Sequence, residues 1–154
     1  MMKKFYVVCL IVLTLILTAC SGAKVVELPE PSTLFAEIES KVQLQEMINV
    51  PGDYLKSNTG IDAESYSSMV YCLPSESVTP DEIIIIRAID DTAAADIQSK
   101  LENLLKNKEM AAQQYLTEYM PVIQKGFVRR DGLTVSLIVS AESAQIAEIY
   151  DSYK

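Results

Sequence analysis

The middle of the chain reads Asp81-Glu82-Ile83-Ile84-Ile85-Ile86-Arg87-Ala88-Ile89-Asp90-Asp91-Thr92, and the fold class follows from it. Four consecutive β-branched residues within Glu82 to Ile89 predict a central strand. Such a strand is covered on both faces, or by helix on one face and by a partner on the other. Asp90-Asp91-Thr92 then opens a helix, since aspartate at a helix start complements the dipole. Ile97, Leu101, Leu104, Ala111 or Ala112, Tyr115 and Tyr119 recur mostly at spacings of three and four, with Lys and Glu opposite. This helix runs to about Tyr119, where Met120-Pro121 ends it. At about 1.5 Å per residue it spans on the order of 40 Å, enough to lie across a four-stranded sheet.

Downstream, Phe127 to Arg130, Asp131-Gly132 and Leu133 to Val139 form a hairpin with a favoured turn. Leu133, Val135, Leu137 and Val139 point one way, and Thr134, Ser136 and Ser140 the other, with Ile138 breaking the alternation. One buried and one wetter face predict an antiparallel sheet with helices packed on one side. A last helix covers about Ala141 to Tyr153. Upstream, Tyr66 to Leu73 reads as a strand closed by Pro74, and Ser75 to Pro80 as a turn. A first helix is predicted from about Ser32 to Ile48, with Ser32 as its cap. Pro51-Gly52-Asp53 and Asn58-Thr59-Gly60 mark loop. The expected order is α-β-β-α-β-β-α: a single α+β domain over residues 32–154, with an antiparallel sheet of about four strands.

The start of the chain has a different character. Lys3 and Lys4 precede an apolar run from Phe5, and small residues precede Cys20, which is the order of an export signal. The apolar stretch from Phe5 to Ala19 has 15 residues, short of the roughly 20 that a membrane-spanning helix needs. Leu17-Thr18-Ala19-Cys20 resembles the lipobox of bacterial lipoproteins. The resemblance implies a diacylglyceryl group (palmitate-type acylation) on Cys20 and signal-peptidase cleavage between Ala19 and Cys20. Residues 1–19 are then the signal peptide, and residues 20–31 the lipidated cysteine and a tether. Two acyl chains suffice for stable anchoring where one does not. The expected location is extracytoplasmic, lipid-anchored to the cell membrane.

Loss of Lys3 and Lys4 leaves 11 basic and 21 acidic side chains, a net charge of −10. A domain so acidic repels nucleic acid and anionic headgroups, so attachment is expected through the lipid, with no nucleic-acid partner. Of three cysteines, Cys9 leaves with the signal and Cys20 is acylated. Cys72 is then alone, which excludes an intramolecular disulfide in the mature domain. It reads as a buried apolar residue, or alternatively as a reactive thiol.

Several features of the later half carry a family resemblance. Asp81-Glu82-Ile83 opens a hydrophobic strand, a long helix ends in Tyr119-Met120-Pro121, and a glycine-containing hairpin leads to Ile138-Val139-Ser140. With the lipobox and Thr59-Gly60-Ile61-Asp62, the chain resembles the bacterial lipoproteins grouped as domain of unknown function 4358, over roughly residues 34–154. The resemblance implies an α+β domain in a Gram-positive cell envelope. It also pairs Lys108 and Gln113 or Gln114 with a basic residue and a glutamine in mid-helix. It brings no catalytic residues.

The chain contains no histidine, which removes Ser-His-Asp and Cys-His catalysis and the commonest metal ligand. None of the five glycines builds a phosphate loop. No catalytic residue, cofactor or metal site is therefore assigned. Asp81-Glu82 and Asp90-Asp91 flank the isoleucine strand, but about 25 Å of strand is too far for a glycosidase pair. Asp53, Asn58, Asp62 and Glu64 make an oxygen-rich loop without calcium-loop spacing. Tyr115, Tyr119, Arg129 and Arg130 form the candidate ligand surface, with core rim and solvated edge as the competing readings. The leading expectation is a non-enzymatic binding or assembly module for an envelope protein or small ligand. An envelope enzyme acting on glycan through carboxylates comes second, and thiol redox chemistry at Cys72 third.

Overall fold

A computed structural model describes residues 27–76 and 79–154. The expectations for the signal peptide, the cleavage site and Cys20 lie outside the described residues.

Among the described residues, five strands form one antiparallel sheet: β1 Met47–Asn49, β2 Tyr66–Pro74, β3 Glu82–Ala88, β4 Phe127–Asp131 and β5 Thr134–Val139. Their order across the sheet is β1-β2-β3-β5-β4. The helices are α1 Pro31–Lys41, α2 Gly52–Thr59, α3 Asp91–Tyr115, α4 Met120–Ile123 and α5 Ser143–Asp151. The α+β class and antiparallel sheet hold, but the sheet has five strands where about four were expected.

The helices pack on both faces of the sheet, which corrects the one-sided expectation. On one face Leu55 of α2, Ala94, Ile97, Leu101 and Ala112 of α3 and Ile123 of α4 cover Tyr71, Ile84, Ile86, Val135, Leu137 and Val139. On the other, Leu34 and Ile38 of α1 and Ile146, Ile149 and Tyr150 of α5 cover Val70, Cys72, Ile83, Ile85 and Ile138. All four isoleucines of β3 are fully buried, each contributing on the order of 2 kcal/mol. Ser136 of β5 and Ser140 just after it mislead because both are buried, with their polar groups satisfied out of water. The Tyr150 hydroxyl donates to Ser136 Oγ at 2.8 Å, and Ser143 Oγ donates to the Ser140 carbonyl at 2.8 Å.

Two elements depart from the expected order. The first helix stops at Lys41, where Val42 is already extended, and Met47–Asn49 pairs with the edge of β2. Its start also differs: Glu30 is the cap residue and Pro31 opens the helix, with no side-chain cap bond and no role for Ser32. The expected loop at 51–60 contains α2, with Leu55 as its one buried residue. A single apolar anchor leaves no periodicity to read. The long helix ends at Tyr115 rather than Tyr119, because a 3₁₀ turn at Thr117–Tyr119 leads into the separate α4.

Candidate functional site

Glu82 is the first residue of β3, and pleating puts its side chain on the α3 face with Ile84 and Ile86. It is 2% exposed. A carboxylate so placed must be paired, because desolvating an isolated charge costs several kcal/mol. Its partners come from two other elements, and a third supports one of them. Lys108 of α3 brings Nζ to 2.9 Å from Glu82 Oε2. Tyr71 of β2 donates its hydroxyl to Glu82 Oε1, and Asn58 of α2 donates from Nδ2 to the Tyr71 hydroxyl at 2.8 Å. Burial, then the Glu82 charge, raises the Tyr71 phenol well above its ordinary pKa. It therefore stays protonated and serves as donor to the carboxylate. Tyr54 packs on it with ring centroids 5.5 Å apart.

Lys108 follows Leu101 by seven residues and precedes Ala112 by four, so the helical repeat sets it on the inward face of α3. Its side chain, 25% exposed, also borders a cleft. The cleft holds about 170 Å³ between the Thr79-Pro80 turn and the C-terminal half of α3, with Ala112, Leu116, Tyr119 and Ile123 in its walls. Gln45 Nε2 donates to Thr79 Oγ1 at 2.7 Å and steadies that turn. Leu116 is 41% exposed at the rim, and the adjoining Tyr115 is 80% exposed.

Of the four residues of the expected ligand surface, only Tyr119 lines this cleft. Tyr115 faces solvent. Arg129 and Arg130 sit near the opposite end of α3, about 36 Å of helix away from Tyr115. Pleating also sends the two arginines to opposite faces of the sheet. Arg129 pairs with Asp131 and, at 2.9 Å, with Asp151, and lies 5.1 Å from the Tyr150 ring centroid. Arg130 pairs with Asp91 and donates to the Gly132 carbonyl at 3.0 Å. The four residues do not make one surface.

The other candidates are likewise engaged by the fold. Cys72 is 2% exposed; burial, with the Glu39 charge adding, pushes its thiol up to about 11, so little thiolate forms near neutrality. Asp90 caps α3 by accepting from the Ala93 amide at 2.8 Å. In the oxygen-rich loop, Asn58 turns inward to Tyr71 while Asp62 pairs with Lys56 at 2.8 Å. Among the described residues no three Cys, Asp or Glu side chains are placed to hold a metal ion. Nor is any described helix long and apolar enough to cross a membrane.

Sequence reading reached Glu82 through its strand and Lys108 through the family resemblance, but not their contact. Asn58 carries only a loop signal and Tyr71 only a strand signal, so neither residue's partner is visible in the sequence.

The family described as domain of unknown function DUF4358 matches residues 40–140, about two-thirds of the chain. The chain belongs to this family. The matched span holds every strand of the sheet and all four residues of the Asn58–Tyr71–Glu82–Lys108 network. Residues 27–39 and α5, which cover the other face, lie beyond it. No curated protein and no solved structure matches the chain significantly.

Proposed function

We propose that this chain is an extracytoplasmic lipoprotein, anchored through diacylglyceryl on Cys20, whose domain is a non-enzymatic binding or assembly module. The cleft beside Lys108 is its contact site. The lipobox at Leu17-Thr18-Ala19-Cys20 supports the address. The observation that carries the binding reading is the cleft itself, with apolar walls around one partly exposed ammonium already neutralised by Glu82. Pockets for whole small molecules usually hold about 300 Å³ or more, so a space of about 170 Å³ favours one inserted apolar side chain of a protein partner.

The competing enzyme readings lose ground on the same geometry. Glu82 is occupied by Lys108 and Tyr71, with Asp90 and Asp91 beyond the far end of β3. Cys72 is buried with a raised pKa. In-cell crosslinking of the full-length protein, followed by affinity purification and mass spectrometry, tests the proposal. A discrete protein should be recovered from the parent, and its yield should fall at least fivefold with Leu116→Glu in the cleft rim or with Cys20→Ala. Recovery unaffected by Leu116→Glu would remove the cleft from the reading. Recovery of no specific protein from the parent would turn the reading toward small ligands.

A further inference from the structure

The segment before α1 was read as a free tether as far as Pro31, yet its last residues are docked. Leu28 is 2% exposed and packs into the apolar layer beneath α1 and α5. Arg87, near the end of β3, donates from Nη2 to the Leu28 carbonyl at 2.6 Å. Its Nε lies 3.1 Å from Glu30 Oε1, and its Nη1 lies 3.6 Å from Glu27 Oε1. Ser68 Oγ donates to Glu30 Oε2 at 2.7 Å. Pro31, itself buried, then begins α1. The chain is thus held to the body of the domain from Leu28 onward.

We infer that Glu27–Pro31 is a strap that sets how the domain stands on the bilayer, with the Arg87 and hairpin-tip end toward the headgroups and the Lys108 cleft facing away. This rests on the lipid anchor proposed above. Seven peptide steps separate Cys20 from Glu27, a leash of about 25 Å at most whatever its path. Arg87 and Glu82 stand at opposite ends of β3, about 17 Å apart by strand rise. They also point to opposite faces of the sheet, since five positions reverse the pleat. Strap and cleft are therefore diagonally opposed. A flexible tether running to residue 31 would let the domain roll. A docked strap shortens the leash and fixes its point of departure beside the tip of the β4–β5 hairpin, where Leu28, Arg87, Gly132 and Leu133 line a common recess. The cleft is then presented to proteins of the envelope rather than to lipid.

The chain has no tryptophan, so single-tryptophan reporters are unambiguous. Ile89→Trp marks the strap end and Tyr115→Trp the cleft end, at positions 54% and 80% exposed. Each full-length lipoprotein is reconstituted in phosphatidylcholine vesicles carrying a dansyl-headgroup acceptor, and energy transfer to the acceptor is measured. Transfer should be at least twofold greater from Ile89→Trp. A combined Leu28→Asp and Arg87→Ala change should bring the ratio toward one. Because that variant risks the fold, eight Gly and Ser residues inserted after Ser21 provide a second release, with the same expected fall. Equal transfer in the parent, or a ratio unmoved by the insertion, overturns the strap. Mass analysis of Cys20 separates the failures: an unmodified cysteine overturns anchor and strap together, whereas an acylated one with equal transfer overturns the strap alone.

Discussion

The Glu82 carboxylate is 3% exposed and relies on Lys108 for its counter-charge. Lys108→Met should cost about 3 kcal/mol, because it leaves a buried charge with the Tyr71 hydroxyl as donor but no cation. Adding Glu82→Gln should recover more than half of that loss, since the double variant buries no charge. Urea unfolding of the two singles and the double measures the coupling, and strict additivity would mean that the pair contributes nothing as a pair. Cys72 gives a pH-dependent expectation. Its folded pKa of about 11 lies above its ordinary 9.0, so the unfolded chain loses the proton first. Its stabilising contribution is complete below about pH 9 and is lost as pH rises through about 11. The native protein should resist iodoacetamide at pH 8 and react promptly in urea; rapid native labelling would contradict the burial. None of this is visible along the chain. Asn58, Tyr71, Glu82 and Lys108 each look ordinary in place, and only their convergence explains why a carboxylate can begin a buried strand.

Elements whose signal is local match the sequence reading closely. The β4–β5 hairpin forms as expected, but its turn lies one residue later than Asp131-Gly132: Asp131 pairs with Thr134, and the loop is Gly132-Leu133 with Gly132 at φ +60°. The cap of α3 is Asp90, and Asp90→Ala should lower stability by about 1 kcal/mol. Gly126, just before β4, is needed for a close approach. A Cβ there would lie 2.9 Å from the Ile123 carbonyl and 3.0 Å from that of Ile138. Both are backbone atoms that cannot swing aside, so Gly126→Ala should cost about 1–3 kcal/mol. Thermal unfolding ranks the two, and a Gly126→Ala protein as stable as the parent would refute the close approach. Strand β1 and helix α2 escaped the reading because they are short and each depends on a neighbour. Three residues of β1 are ordered by pairing with β2, and α2 by Leu55 entering the core.

For the whole molecule, the proposed attachment is the lipid on Cys20, supported by the lipobox at Leu17-Thr18-Ala19-Cys20. Cys20→Ala should move the protein from the membrane fraction to the soluble fraction, read by flotation on a density gradient. Retention of the variant at the parent's level would defeat the lipid anchor. The two helical layers also set a limit on truncation. Removing α5 would expose Ile83, Ile85 and Ile138, so the matched family span alone should not fold as a stable monomer; a cooperative thermal transition from residues 40–140 would show otherwise.

The α+β class, the central isoleucine strand, the long amphipathic helix and the β4–β5 hairpin were all legible in the sequence. Each is written in short-range spacing, and backbone geometry translates spacing directly into strand, helix or turn. The tertiary structure alone decided that helices cover both faces, that Ser136 of β5 is dry, that Glu82 is neutralised by Lys108 and that the chain before α1 is docked at Leu28. These are properties of desolvation. Whether a polar side chain may leave water depends on the partner it meets, and here the partners lie on other elements: Tyr150 for Ser136, Lys108 for Glu82, Arg87 for the Leu28 carbonyl.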